Sequence, residues 1–325
     1  MPLNISILGL DALGASLGIA LGTLDPKVLD VGRPRITGWD ADRKVRETAR
    51  GRLAVDVAAD DLATAVREAD VVFVNVAEAQ LHQTLLDIGP HLKQGVLVTD
   101  TLAVKEPIIA LAQRTLPSTA QFVGGHPFVS FKDDSVKGMS ADAFKNVMYC
   151  LVATPANTPQ ALNALSSLVT AVGAKPYFID AAEHDSFAAG AAHLPLLASL
   201  VLMHTVSHSP GWREMQPIAG EGLVATTALA AATPDEVARA LHSNRAALRH
   251  WIAALQQTLD DFDHALDAPH QLAELAATAR DARDAWLSTL PHERPGEGEQ
   301  YSDVTKVENP LTGMFFGRRT MRKRN

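Results

Sequence analysis

A chain of 325 residues that is 47% hydrophobic and 20% charged has enough apolar surface for two domains and too much for a disordered protein. Its formal net charge of -8 supplies no basic footprint for nucleic acid, and the cluster Arg318, Arg319, Arg322, Lys323 and Arg324 reads as a short solvated tail. The single cysteine, Cys150, excludes an internal disulfide and lies in an apolar run, so a buried thiol in a reducing compartment is expected.

Residues 3–8 are mostly apolar and read as a buried parallel strand, and residues 12–21, with Leu13, Leu17, Ala20 and Leu21 at helical spacing, read as the helix that follows. Between them lies Gly9-Leu10-Asp11-Ala12-Leu13-Gly14. Strand, glycine turn and helix are the setting of a dinucleotide-binding turn, in which the first glycine makes the turn, the second admits the pyrophosphate and the third lets helix pack on strand. Gly9 and Gly14 fill the first and third roles, and Asp11 stands in the second. Ala12 and Leu13 complete the candidate cofactor contacts. A unit charge about 5 Å from a phosphate charge costs roughly 1–3 kcal/mol, so Asp11 either weakens dinucleotide binding or caps the helix and fills the anion position itself.

A second strand over 35–39 ends at Asp40, an acid placed to hold the ribose hydroxyls of NAD and to repel the 2′-phosphate of NADP. NAD is therefore expected over NADP, with the nearby Arg43 softening the preference. The first apolar run has no basic leader, and no uninterrupted apolar stretch reaches membrane-spanning length. A cytoplasmic protein without a membrane partner is the expectation.

Strand-like runs recur at 71–76, 96–99, 121–124, 147–153 and 176–179, with helical segments between most of them. That alternation predicts an α/β fold, a Rossmann-type doubly wound and mainly parallel sheet covered on both faces. His126, in Phe122-Val123-Gly124-Gly125-His126-Pro127, follows the carboxyl end of one strand, where ligands sit in open α/β sheets. An imidazole there can take a proton from a substrate hydroxyl while hydride leaves the same carbon.

After Asp180 the texture becomes helical over 183–208, 222–232, 234–266 and 271–290. The chain thus divides into a dinucleotide-binding domain at 1–180, an all-α substrate and dimerisation domain at 181–290, and a linker and tail at 291–325, with Pro, Gly and Glu concentrated in 291–300 and an apolar segment at 311–316. His193 stands alone in an apolar helical stretch, a core histidine or a ligand contact. His204 and His208 can share a helix face but have no acid nearby, so no metal is expected.

Beyond these readings, the chain resembles the prephenate and arogenate dehydrogenases of tyrosine biosynthesis. The matching elements are the amino-terminal turn, Gly38-Trp39-Asp40, Val98-Thr99-Asp100 with Val104-Lys105, Gly124 to Pro127, and Thr154-Pro155. They continue through Gly173-Ala174, Glu183-His184-Asp185 and His193-Leu194-Pro195. The resemblance implies an NAD(P) domain joined to a helical dimerisation domain, a small-molecule cyclohexadienol substrate, a homodimer, and oxidative decarboxylation of the ring. It places His126 on the histidine that accepts the hydroxyl proton and His193 on the substrate-site histidine.

The chain also departs from the family. Ala103 stands where a serine is usual, and Ala225 and Ala228 stand at an aspartate and at the arginine that holds a substrate carboxylate. Losing a hydrogen bond to a charged group costs about 1.5–3 kcal/mol, and Lys105, Arg213 and Arg245 are candidate replacements. Two readings follow, an active dehydrogenase and a degenerate relative that keeps the fold for binding or regulation.

Overall fold

The computed structural model describes residues 3–25, 32–129, 131 and 133–289. The expected linker and tail, with the basic cluster at 318–324, lie outside the described residues. Eight strands form one sheet: β1 Asn4–Leu8, β2 Arg35–Trp39, β3 Val57–Ala58, β4 Val71–Val74, β5 Leu97–Asp100, β6 Gln121–Pro127, β7 Met148–Val152 and β8 Lys175–Ile179. Their order is β3-β2-β1-β4-β5-β6-β7-β8, parallel throughout except for the antiparallel β6 and β7 pair. The mainly parallel doubly wound sheet is as the alternation predicts.

The strands read as continuous apolar runs because both faces are covered. Successive side chains therefore feed two cores. Phe73, Tyr149 and Leu151 join Ile5, Ile7, Leu17, Leu21 and Leu165 on one face, while Val72, Val74, Cys150 and Val152 join Leu81, Leu85, Ile88 and Ile108 on the other. Cys150 is buried, and burial pushes its thiol up to about 11.

The helices are α1 Ala12–Gly22, α2 Arg43–Gly51, α3 Leu62–Val66, α4 Glu78–Ile88, α5 Glu106–Thr115, α6 Pro159–Ala171, α7 Ala181–Ala188, α8 Leu194–Ser207, α9 Trp212–Met215, α10 Glu221–Thr226, α11 Pro234–Ser243, α12 Arg245–Ala265 and α13 Pro269–Thr289. The stretch expected as one helix over 183–208 is interrupted by a π-turn at Ala189–His193, between α7 and α8. The stretch expected over 234–266 breaks at Asn244, whose buried side chain binds the backbone oxygen of Asp185 at 2.7 Å. Residues 222–232 split into α10 and a 3-10 turn at Ala228–Ala231.

Taken together, Ala181–Ser207 is a helical run of 27 residues, long and apolar enough by length and composition to cross a membrane. Glu183, His184, Asp185, His193 and His204 interrupt the run, so it is not the uninterrupted apolar stretch that the sequence is expected to lack. The run carries buried, hydrogen-bonded His184 and Asp185 in its first turns, while only 22% of its apolar window is buried.

The described residues form two compact units, one of those up to His193 with Ala238–Arg249, the other of Leu194–Val237 with those from His250 to Thr289. Strand order reverses across β1, with β2 on one side and β4 on the other. That switch point at the carboxyl ends of the strands is where such sheets bind ligands.

Candidate functional site

The glycine turn leaves β1 at the switch point. Gly9 has φ +95, and a Cβ there would lie 2.0 Å from the backbone oxygen of Asn75; a Cβ on Gly14 would lie 2.0 Å from the oxygen of Gly9. Both positions demand glycine, for conformation and for close packing respectively. Asp11 is the N-cap of α1, and its Oδ1 accepts from the amides of Leu13 and Gly14, each at 3.0 Å, and from Asn75 Nδ2 at 2.7 Å. The Ala12 amide donates to the backbone oxygen of Asp134 at 2.9 Å. Burial raises the pKa of Asp11, opposed by hydrogen bonds from Gly14, Asn75 and Leu13.

Asp40 ends β2 as expected, and its two oxygens accept from the amides of Leu10 and Asp42, each at 2.9 Å. A carboxylate has about four lone-pair positions, so these bonds leave capacity for ribose hydroxyls. The turn fits a dinucleotide at Gly9, Gly14 and Asp40, whereas Asp11 lies across the amides that would meet its phosphates.

At the far end of β6 a second cluster forms within the same unit. His126 is half-buried, and its Nδ1 lies 2.9 Å from Nε2 of His184, whose Nδ1 lies 2.8 Å from Oδ1 of Asp185. A carboxylate accepts only, so His184 donates through Nδ1, and in neutral form its Nε2 accepts from Nδ1–H of His126. The order Asp185, His184, His126 therefore leaves the lone pair of His126 on Nε2. Phe128 packs on the His126 ring with centroids 4.3 Å apart. Burial holds the His126 pKa well below its ordinary 6.5, helped by the positive charge of Lys105 and by His184 and His193.

Beneath this relay Lys105 and Asp100 form a fully buried ion pair. Lys105 Nζ also donates to the backbone oxygen of Gly125 at 2.6 Å, and Asp100 accepts from the amides of Gly125 and Leu102. Burial lowers the Lys105 pKa, and Asp100 opposes that shift. Asp185 accepts from the amides of Lys105 and Glu106 at 2.7 and 2.9 Å, tying α7 to the start of α5. Lys105 was a candidate contact for a substrate carboxylate. Its ammonium instead lies fully buried against Asp100 and Gly125, one residue before His126.

His193 joins this unit at the end of the π-turn. Asn244 Nδ2 approaches its Nδ1 at 3.3 Å, so the amide donates and the ring carries its proton on Nε2. Burial lowers the His193 pKa, opposed by Asp185. The neighbouring Arg245 points away, its Nη1 on the backbone oxygen of His242 at 3.1 Å. His204 and His208 stack at 3.9 Å, and among the described residues no group of three or more His, Cys, Asp or Glu could hold a metal.

Asp100, His184 and Asp185, which in the sequence stand only within elements of the resemblance, and Asn244, which stands in none, also belong to the site. Asp100 carried one legible signal, an acid at the carboxyl end of a strand on the same sheet edge as His126. Asn244 carried none, since only the fold brings it to His193.

The family profile described as "Prephenate dehydrogenase, nucleotide-binding domain" matches residues 30–178. Prephenate dehydrogenase of Bacillus subtilis is 27% identical over 210 residues, 63% of this chain and 54% of that protein, so the chain spans about half the length of this relative. Cyclohexadienyl dehydrogenase of Zymomonas mobilis is 29% identical over 206 residues, 63% of this chain and 67% of that protein. The crystal structure of Synechocystis arogenate dehydrogenase superposes with a TM-score of 0.77 at 26% identity, over 87% of this chain and 100% of that one. Prephenate dehydrogenase from Aquifex aeolicus, in complex with hydroxyphenyl propionate and NAD+, shares the fold with a TM-score of 0.78 at 18% identity, over 88% of this chain and 98% of that one. On these matches residues 30–178 are similar to the nucleotide-binding domain of prephenate dehydrogenases, and the chain as a whole is similar in sequence and fold to prephenate, cyclohexadienyl and arogenate dehydrogenases.

Proposed function

We propose that this chain is an NAD-linked dehydrogenase of the prephenate/arogenate type, performing oxidative decarboxylation of a cyclohexadienol acid. The observation that carries the reading is the Asp185, His184, His126 relay, which leaves an unprotonated Nε2 at the carboxyl edge of the sheet. Gly9, Asp11, Ala12, Leu13, Gly14 and Asp40 would surround the cofactor, with NAD favoured over NADP by the acid at Asp40. A nicotinamide, when bound, supplies the hydride acceptor.

The chain's own residues supply the proton chemistry. His126 Nε2 takes the hydroxyl proton as the carbon bearing that hydroxyl loses hydride, and the C–O bond becomes a carbonyl. The ring carboxylate leaves as carbon dioxide, and its bonding electron pair aromatises the ring. His126 then returns the proton to the phenolate oxygen, which balances the step. His193 offers an Nε2–H donor suited to a carboxylate or carbonyl oxygen of the substrate. The dinucleotide-binding role belongs to residues 1–180, the substrate and dimerisation role to 181–290.

The test is NADH and carbon dioxide formation from prephenate and from arogenate at saturating NAD+. Equal amounts of both products are expected from one of the two. Neither product from either substrate would overturn the reading. It would favour instead a relative that keeps the fold for binding or regulation, which the occupied α1 amides and the alanines at 103, 225 and 228 also suggest.

A further inference from the structure

In a dinucleotide turn the amides opening the helix after the glycines point at the phosphates, and the helix terminus favours negative charge. Here the chain itself supplies partners for the first three amides of α1. Asp11 Oδ1 receives Leu13 and Gly14, and the backbone oxygen of Asp134 receives Ala12. The same Oδ1 receives Asn75 Nδ2. Asn75 is itself oriented from two sides, since its Oδ1 accepts from Thr101 Oγ1 at 2.6 Å and its Nδ2 reaches the oxygen of Gly9 at 3.3 Å. Asp11 is thus held by three donors on one oxygen, in the place of an anion.

The segment that closes over Ala12 is also anchored. Ser140 donates its amide to Ser16 Oγ on α1 at 2.8 Å, and Arg52 at the end of α2 donates to the backbone oxygen of Lys137 at 2.9 Å. Side chain and main chain together therefore satisfy the donors that a diphosphate would need.

We infer that Asp11 is an internal occupant of the diphosphate position, so that it sets this chain's affinity for any ligand carrying a nucleoside diphosphate. The inference rests on the reading that the glycine turn takes a dinucleotide. Binding requires the carboxylate to leave three donors, and a carboxylate that stays nearby repels the phosphates. The adenosine end of the ligand meets neither effect. Asp11 thereby discriminates by the diphosphate and not by the base.

The test is calorimetric titration of the full chain with NAD+, ADP and adenosine, for wild type, Asp11→Gly and Asp11→Asn, with thermal unfolding as a control on folding. Glycine is tolerated at an N-cap, and asparagine keeps the cap while removing the charge. NAD+ and ADP should bind Asp11→Gly at least about tenfold more tightly than wild type, about 1.4 kcal/mol, with adenosine affinity unchanged. Asp11→Asn should fall between them, and it carries the test alone if the glycine variant does not fold.

Equal or weaker binding of NAD+ and ADP by both variants, a gain shared by adenosine, or no binding of any ligand by any of the proteins overturns the inference. Tighter binding by Asp11→Gly without turnover of prephenate or arogenate by either protein sustains the inference and defeats the catalytic reading. Turnover by a wild type that binds NAD+ as tightly as the glycine variant does the reverse.

Discussion

In the proposed reaction His126 would serve as a base at neutral pH because its neighbours settle two separate questions, which nitrogen is free and whether it is charged. His184 and Asp185 answer the first by taking the Nδ1 proton of His126 into a chain of hydrogen bonds. Burial and the positive charge of Lys105 answer the second, since both disfavour the imidazolium. The proposed reaction uses the neutral ring, whose pKa is held well below 6.5, so activity should hold through pH 7 and fall only as pH drops below that value.

Replacing His184 with Phe should remove the acceptor that fixes the tautomer and leave substrate contacts in place. We expect kcat to fall about 10- to 100-fold, less than the whole contribution of a positioned base, with KM little changed and the acid limb of the pH profile displaced. An unchanged kcat and acid limb would show that His184 does not position His126. Histidine spacing alone could not reveal this chain, because His126 and His184 come from β6 and α7 and meet only across the sheet edge.

At the scale of elements, the loop between β5 and α5 is fastened to β6 and α7 by charge. Lys105 and Asp100 are both fully buried, and each also binds backbone of neighbouring segments. Removing one partner of a buried ion pair leaves an uncompensated charge, typically at a cost of about 3–5 kcal/mol. Lys105→Met should lower stability by that order, read as an earlier urea midpoint at unchanged slope. A loss below about 1 kcal/mol would contradict the pairing.

The strands of this sheet were legible because apolar runs alternated with helical spacing, and His126 was legible because it follows one of those runs. β3 was not, since Val57–Ala58 is two residues long and pairs with β2 only at Thr37 and Gly38. The breaks in the long helices were also hidden. The π-turn residues before His193 are as small and apolar as their helical neighbours, and Asn244 interrupts its stretch for a tertiary reason, the hydrogen bond to Asp185.

For the whole molecule, the second unit raises a question of size. Among its described residues only Ser199 and Ala265 are buried, while Val201, Leu229, Leu259 and Trp286 are each at least half exposed. A helical unit with so little core of its own gains stability by covering its apolar faces, and symmetric pairing is the commonest way to do so. We expect sedimentation equilibrium to show a homodimer and Val201→Glu to shift it toward monomer. A wild-type monomer at micromolar concentration would contradict that arrangement.

The catalytic account rests finally on His126. The most direct test compares initial rates of NADH formation by wild type and His126→Asn, with prephenate or arogenate as substrate and NAD+ at saturation. The account predicts turnover in the wild type and a loss of about 100- to 10,000-fold in the variant, the usual contribution of general-base catalysis, with NAD+ affinity nearly unchanged. Turnover that survives in His126→Asn would contradict it.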